Sequence, residues 1–218
     1  MTFRRRLHPA LGVVVAAVVV LSACAGGDGR DRDDDPLGWS VCNQLFGADR
    51  IDRLQDEMGT GTLSVLNVSR PVGELMSDRA SVARRWEPGS EVHFSNVSEP
   101  CSLGVDGKRA RFESYVSWSL DSVEDIRAGV AGGGWGALGG DVYVKREEGG
   151  LHLTAVIPCK VKGSHQAQEA ELPLEVETEV RGVPGFDTKL LRQMTARFAR
   201  KMVDGLPCVN GPVVPGEL

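Results

Sequence analysis

The 218-residue sequence predicts an α+β domain, a mainly antiparallel sheet packed by amphipathic helices near both ends and stapled by disulfides. Three observations carry this expectation. Apolar and polar residues alternate over 110–120 and again over 172–180, the period of strands with one wet face. Leu190, Met194, Phe198, Met202 and Leu206 step by four, the signature of a helix with one apolar stripe. Finally, Cys42, Cys101, Cys159 and Cys208 form an even set with no C-x-x-C spacing and no histidine at metal-ligand spacing. In an exported chain such a set reads as two disulfides.

Export is written into the first residues. Arg4, Arg5 and Arg6 form a positive start, and residues 10–21 are an apolar run of 12 residues. A bilayer span needs about 20, so this run reads as a signal peptide rather than an anchor helix. It closes on Leu21-Ser22-Ala23-Cys24, which resembles the bacterial lipobox. That resemblance implies cleavage before Cys24, lipidation of its sulfur and retention at the outer face of the cell membrane, with the bilayer as partner. Two acyl chains anchor durably where one is marginal, at about 0.8 kcal/mol per buried CH₂. Residues 24–38, rich in Gly, Asp and Arg, lack the apolar content to fold and read as a disordered tether.

The folded unit is expected over 39–208. Leu45, Ile51, Leu54 and Met58 mark a first helix that Gly59 stops, and residues 63–68 alternate as a strand. Pro71 opens a second helix reaching Trp86, and Val92–Val97 has strand character. Asp106-Gly107 is a hairpin turn leading into the alternating run 110–120, and Ser122-x-x-Asp125 resembles a capping box for a short helix. Residues 132–140 read as a flexible glycine loop. Strands follow at 142–145, 151–157 and 172–180, before the closing helix with Asp187 or Thr188 as N-cap. The tail at 209–218 is expected to be loose.

Four cysteines allow three pairings. The pairing Cys42 with Cys101 and Cys159 with Cys208 is preferred, because each bond then ties a terminal helix to the nearest strand pair. Loops of 50–60 residues closed this way contribute about 4 kcal/mol each on the chain-entropy model. A faint echo between residues 92–101 and 151–159, each a strand followed by Pro-Cys, places Cys101 and Cys159 in equivalent positions.

Charge narrows the partners. From Cys24 onward 22 basic residues face 30 acidic ones, a net charge of −8. Nucleic acid is therefore not an expected partner. Arginine outnumbers lysine 19 to 6, a composition typical of GC-rich, actinobacterial genomes.

Candidate chemistry is sparse. Residues 134–139 match G-x-G-x-x-G, but the glycines precede a β-run instead of opening a helix, so no dinucleotide site is expected. His93, His152 and His165 belong to no hydrolase or metalloprotease motif. Glu175, Glu177 and Glu179 line one strand face and read as a solvated surface balanced by Arg109, Arg111 or Lys145. Lys189, Arg192, Arg197 and Arg200 form a basic arc on the last helix, the ordinary polar face of a packed helix. Trp135, alone among seven glycines between Gly129 and Gly140, is the candidate aromatic anchor for a ligand. No catalytic residue, metal or cofactor is expected.

Several segments together resemble a broad class of actinobacterial lipoproteins with a PsbP-like α/β sandwich. They are Cys42-Asn43-Gln44-Leu45-Phe46, Cys101-Ser102-Leu103, Leu138-Gly139-Gly140-Asp141-Val142-Tyr143 and the helix Leu190–Leu206, spanning residues 39–208. The resemblance supplies no catalytic residues. The expected function is a membrane-anchored envelope lipoprotein that binds or scaffolds an envelope ligand or protein without turnover. An envelope hydrolase using carboxylates or histidines, or a structural subunit docked on a membrane protein, is the alternative. If Cys24 carries the anchor, Cys24→Ser moves the protein from the membrane fraction to the soluble fraction. A variant that stays membrane-bound, with both versions at intact precursor mass, rules the lipobox out.

Overall fold

A computed structural model describes residues 35–68, 70–90, 97–139, 142–147 and 149–218. The signal peptide, Cys24, most of the tether, His93 and the expected strand 92–97 (except Val97) lie outside the described residues. Among the described residues no helix is long and apolar enough to cross a membrane.

The chain forms α1 (Pro36–Phe46), α2 (Ala48–Met58), β1 (Leu63–Asn67), α3 (Val72–Arg85), β2 (Ser98–Val105) and β3 (Arg111–Trp118). It continues through α4 (Val123–Ala128), β4 (Trp135–Ala137), β5 (Tyr143–Arg146), β6 (His152–Ile157), α5 (Gln168–Glu171), β7 (Leu174–Arg181) and α6 (Thr188–Gly205). The seven strands form one antiparallel sheet in the order β1-β2-β3-β7-β6-β5-β4. It is two meanders, β1–β3 and β4–β7, joined where β3 pairs with β7 over eight residues from Arg111↔Arg181 to Trp118↔Leu174.

The alternation of β3 and β7 sorts their side chains as expected. Phe112, Val116, Trp118, Leu174, Val176 and Val180 are buried on one face beneath α1, α3 and α6. Phe46 of α1 stacks edge-on against Phe112 at 5.0 Å between centroids, and its other neighbour is Phe198 of α6 at 5.4 Å. Two buried threonines, Thr178 and Thr195, share a 2.5 Å hydrogen bond between β7 and α6, and Thr195 also donates to the Leu191 carbonyl. The apolar layer thus contains no unanswered hydroxyl there. The Trp118 indole donates to the Arg79 carbonyl at 2.9 Å, tying α3 to β3.

Both disulfides stand on the helix side, Cys42–Cys101 joining α1 to β2 and Cys159–Cys208 joining the end of β6 to the end of α6. The pairing is the preferred one, and each closes a separation of 59 or 49 residues. The two sites differ in detail, since Cys101 lies inside β2 whereas Cys159 follows β6.

Five expectations need correction. The first helix is two helices, broken at Gly47, whose φ of 87° favours glycine. The domain begins at Pro36, because Asp35 accepts from the Gly38 N–H and caps α1 inside the expected tether. A four-residue helix, α5, was not expected; Gln168 within it is buried and bonds Val161, Cys159 and Leu172. The glycine loop contains strand β4, paired with β5. The tail is not loose, for Val214 and Leu218 are buried in the main core and Glu217 pairs with Arg192 at 2.7 Å.

Deleting residues 214–218 should therefore lower stability by roughly 3 kcal/mol, the scale of exposing two buried aliphatic side chains. Urea unfolding of the full and truncated chains measures this, and an unchanged midpoint would show that the tail packs on nothing that matters.

Candidate functional site

Helices α1, α3 and α6 cover only one face of the sheet. On the other face, α4 folds over one end, where Val123, Ile126, Tyr143 and Val156 form a small second core with Trp135 of the edge strand β4 packed at its border. The remainder of that face carries the outward residues of β3, β7 and β6, which the register sets in rows. Glu113, Glu179 and His152 lie side by side, as do Tyr115, Glu177 and Thr154, and then Ser117, Glu175 and Val156. Alternation alone places these groups together, because residues directly opposite on antiparallel strands share a face.

The three carboxylates in β7 have three different partners. Glu179 is gripped by both Arg181 Nε and Nη2 at 2.6 Å, and this fork holds its carboxyl below the usual range. Glu177 meets His152 Nε2 at 2.8 Å, while His152 Nδ1 meets Glu147 at 3.0 Å. The Nε2–H is angled off the Glu177 oxygen, so that contact is an ion pair more than a linear hydrogen bond. Among the described residues Glu175 has no cation beside it. It accepts from Ser119 Oγ at 2.8 Å and from Ser117 Oγ at 3.3 Å. Burial pushes its carboxyl up, against the two serine hydrogen bonds, and the charge of Glu177 adds to the rise. None of the expected partners, Arg109, Arg111 or Lys145, makes these pairs; the strand face is a half-buried network and not a solvated surface.

Tyr115 completes the site. Burial, aided by the negative charges of Glu113 and Glu99, pushes its phenol up to about 12. Tyr115, Ser117, Glu175, Glu177 and Val97 line a shallow cavity of about 250 Å³. A larger cavity of about 510 Å³ lies between α4, α5 and the tail. Its charged residues, Arg127 and Glu169, are already bonded to Tyr143 and Asn210, so it offers a shape without chemistry.

His152, Glu177 and Glu179 bring one ligand atom each within 4.8 Å of one another, the spacing of a metal site. Their charges are already answered by one another and by Arg181, however, and a doubly paired imidazolium is a poor ligand. The donor set fits an ion-pair network better than a cation. Trp135, expected at the tip of a flexible loop, stands in β4, half-buried, with Lys145 Nζ 5.9 Å from its ring. Packing against the second core accounts for the ring, and only the indole N–H, buried without an acceptor among the described residues, is left unexplained. The G-x-G-x-x-G segment supplies that edge strand, and its glycines open no helix. His165 lies outside the network, edge-on to Trp86.

Of this network, the sequence reading identified the β7 glutamates and the strand position of His152, but missed Tyr115, Glu147 and Arg181. Placing the two β-runs side by side could have found Tyr115; nothing local marks Glu147, which arrives from a hairpin end.

The pairing of His152 has a pH signature. Glu177 foremost, with Glu147 adding and burial opposing, raises its pKa from 6.5 to about 9. The imidazolium therefore stabilises the fold fully below about pH 6.5, and that stabilisation is lost as pH rises through about 9. An NMR titration should place the His152 midpoint near 9, and the stability gap to His152→Gln should close at higher pH. A midpoint near 6.5 would show that the ion pairs do not form in solution. Comparison with family models, with curated proteins and with solved structures finds no match to this chain.

Proposed function

We propose that this protein is a lipid-tethered module of the outer membrane face that binds its ligand without turnover, through the uncovered face of its sheet. The observation that carries the reading is Glu175, a carboxylate at the wall of a cavity, held by two serines and, among the described residues, by no cation. Around it Glu113, Glu147, Glu177 and Glu179 are already engaged by His152 and Arg181. A ligand that brings a positive group to Glu175 would relieve the burial of an unpaired acid.

Cavity size and proton affinity both favour binding over catalysis. Small-molecule sites usually enclose about 300–1,000 Å³. A shallow cavity of about 250 Å³ suits the end of a ligand, such as an ammonium or guanidinium group. His152 and Tyr115 both hold their protons at neutral pH, so neither serves as a general base. The lipobox at Cys24 and the resemblance of residues 39–208 to PsbP-like lipoproteins support placement at the membrane. A hydrolase is the rival reading, and it rests on the same Glu175, whose carboxyl is pushed up by burial, as the proton donor of an acid–base site requires.

Spermidine serves as a simple cationic probe. At ten times its Kd it should raise the wild-type melting temperature by roughly 3 °C. Glu175→Gln should abolish that response and leave the unliganded protein as stable as before or more so, since it removes a buried charge. An equal response in the variant would discard the binding reading. Turnover of chromogenic esters or glycosides that Glu175→Gln abolishes would put the hydrolase in its place.

A further inference from the structure

Away from the sheet face, three arginines meet at the corner between α1 and α2. Arg50 lies in the first turn of α2, and Arg197 and Arg200 project from the middle of α6. The corner is Gly47, buried and in the left-handed region, which is the last cap of α1 and the first of α2. A Cβ on Gly47 would stand 3.0 Å from Arg197 Nε and 2.7 Å from Asp49 Oδ1, so both side chains converge directly above it. As N-cap of an 11-residue helix, Gly47 contributes no side-chain hydrogen bond to the α2 terminus. The Gly47 carbonyl accepts from the Arg50 N–H, and the partial positive charge of the α2 start adds to the arginines, with Asp49 in the first turn opposing it.

These cations are poorly answered. The Nε groups of both Arg50 and Arg197 are buried without an acceptor among the described residues. Arg197 makes no hydrogen bond and no ion pair among the described residues. Among the described residues Arg50 is matched only by the exposed Asp49 carboxylate at 3.3 Å, and Arg200 donates to the Pro215 carbonyl. Burial first, and then the charges of Arg50 and Arg197, hold the Arg200 guanidinium below its usual pKa, with Asp204 opposing. Three guanidinium groups brought together at such cost, next to an uncapped helix start, are what a multiply charged oxyanion would stabilise.

We propose that Arg50, Arg197 and Arg200 form a binding site for a phosphate-type oxyanion at the N-terminus of α2, supplied as free phosphate or as a lipid headgroup. Guanidinium forks match the geometry of phosphate oxygens, and Asp49 is an internal competitor that partly fills the site when it is empty. The site is independent of the acidic sheet face and does not rest on its reading.

The test uses the full chain in dodecyl maltoside micelles and inorganic phosphate in calorimetric titration. Wild type should bind phosphate. Arg197→Ala with Arg200→Ala should bind at least about tenfold more weakly, as loss of two charge-assisted contacts implies. Asp49→Asn should bind severalfold more tightly, because the competitor is gone. Doping the micelles with phosphatidylglycerol, against phosphatidylcholine as control, identifies the source. Displacement of phosphate by phosphatidylglycerol alone assigns the site to lipid headgroups, and undisturbed phosphate binding assigns it to the free anion. The proposal is overturned if wild type neither binds phosphate nor prefers phosphatidylglycerol, or if a folded double-alanine variant binds as wild type does. Should that variant not fold, an unchanged affinity in Asp49→Asn overturns it equally.

Discussion

Everything in this molecule hangs on the register of β3 against β7. These two strands join the meanders into one sheet, and their eight paired residues fix which side chains face helices and which face outward. Because the side-chain period of a strand is two, a slip of β3 by one residue would send Phe112, Val116 and Trp118 to the wet side and Glu113, Tyr115 and Ser117 into the core. The energy difference between those arrangements is large, so the register is strongly specified. The disulfides reinforce it from the helix side by holding α1 on β2 and the end of α6 beside the end of β6.

The same sorting generates the electrostatics. With the apolar residues of β3 and β7 committed to the helices, the ionisable ones collect in rows on the uncovered face. There the carboxylates must find partners laterally. Glu179 takes Arg181 two residues along its own strand, Glu177 takes His152 from the next strand, and Glu175, beside Tyr115 and Ser117 in the cavity wall, finds only hydroxyls among the described residues. A carboxylate so placed is poorly stabilised in the free protein, and that imbalance is the physical source of the binding reading.

Opposite charges are kept apart by the sheet itself. The acidic network sits on one side, while the cationic corner at Gly47 lies among the helices on the other, where α2 meets α6. Gly47 makes this possible, since its turn reverses the chain tightly enough for Arg197 to lie over the corner. Any Cβ there would meet Asp49 Oδ1 at 2.7 Å and crowd that guanidinium at 3.0 Å as well as strain the backbone. The tail then closes α6 from outside through Arg192–Glu217 and buried Leu218, so the helix is enclosed by the chain end as much as by the sheet.

Periodicity made most of the elements legible. The alternation over 110–120 and 172–180 and the four-residue step of the last helix mark β3, β7 and α6, and the even cysteine count marks two bonds that the structure forms in the preferred pairing. These features are local or are written as a repeated pattern, so one chain suffices to show them. What only the tertiary structure decided is which elements stand next to which. That β7 returns to pair with β3 is what sets Tyr115 beside Glu177, and the β5–β6 hairpin is what carries Glu147 to His152. The break at Gly47, the strand within the glycine loop and the docked tail escaped the reading for a related reason. Each depends on contacts made across long sequence separations, and a glycine or a short apolar tail has no periodicity from which those contacts can be inferred.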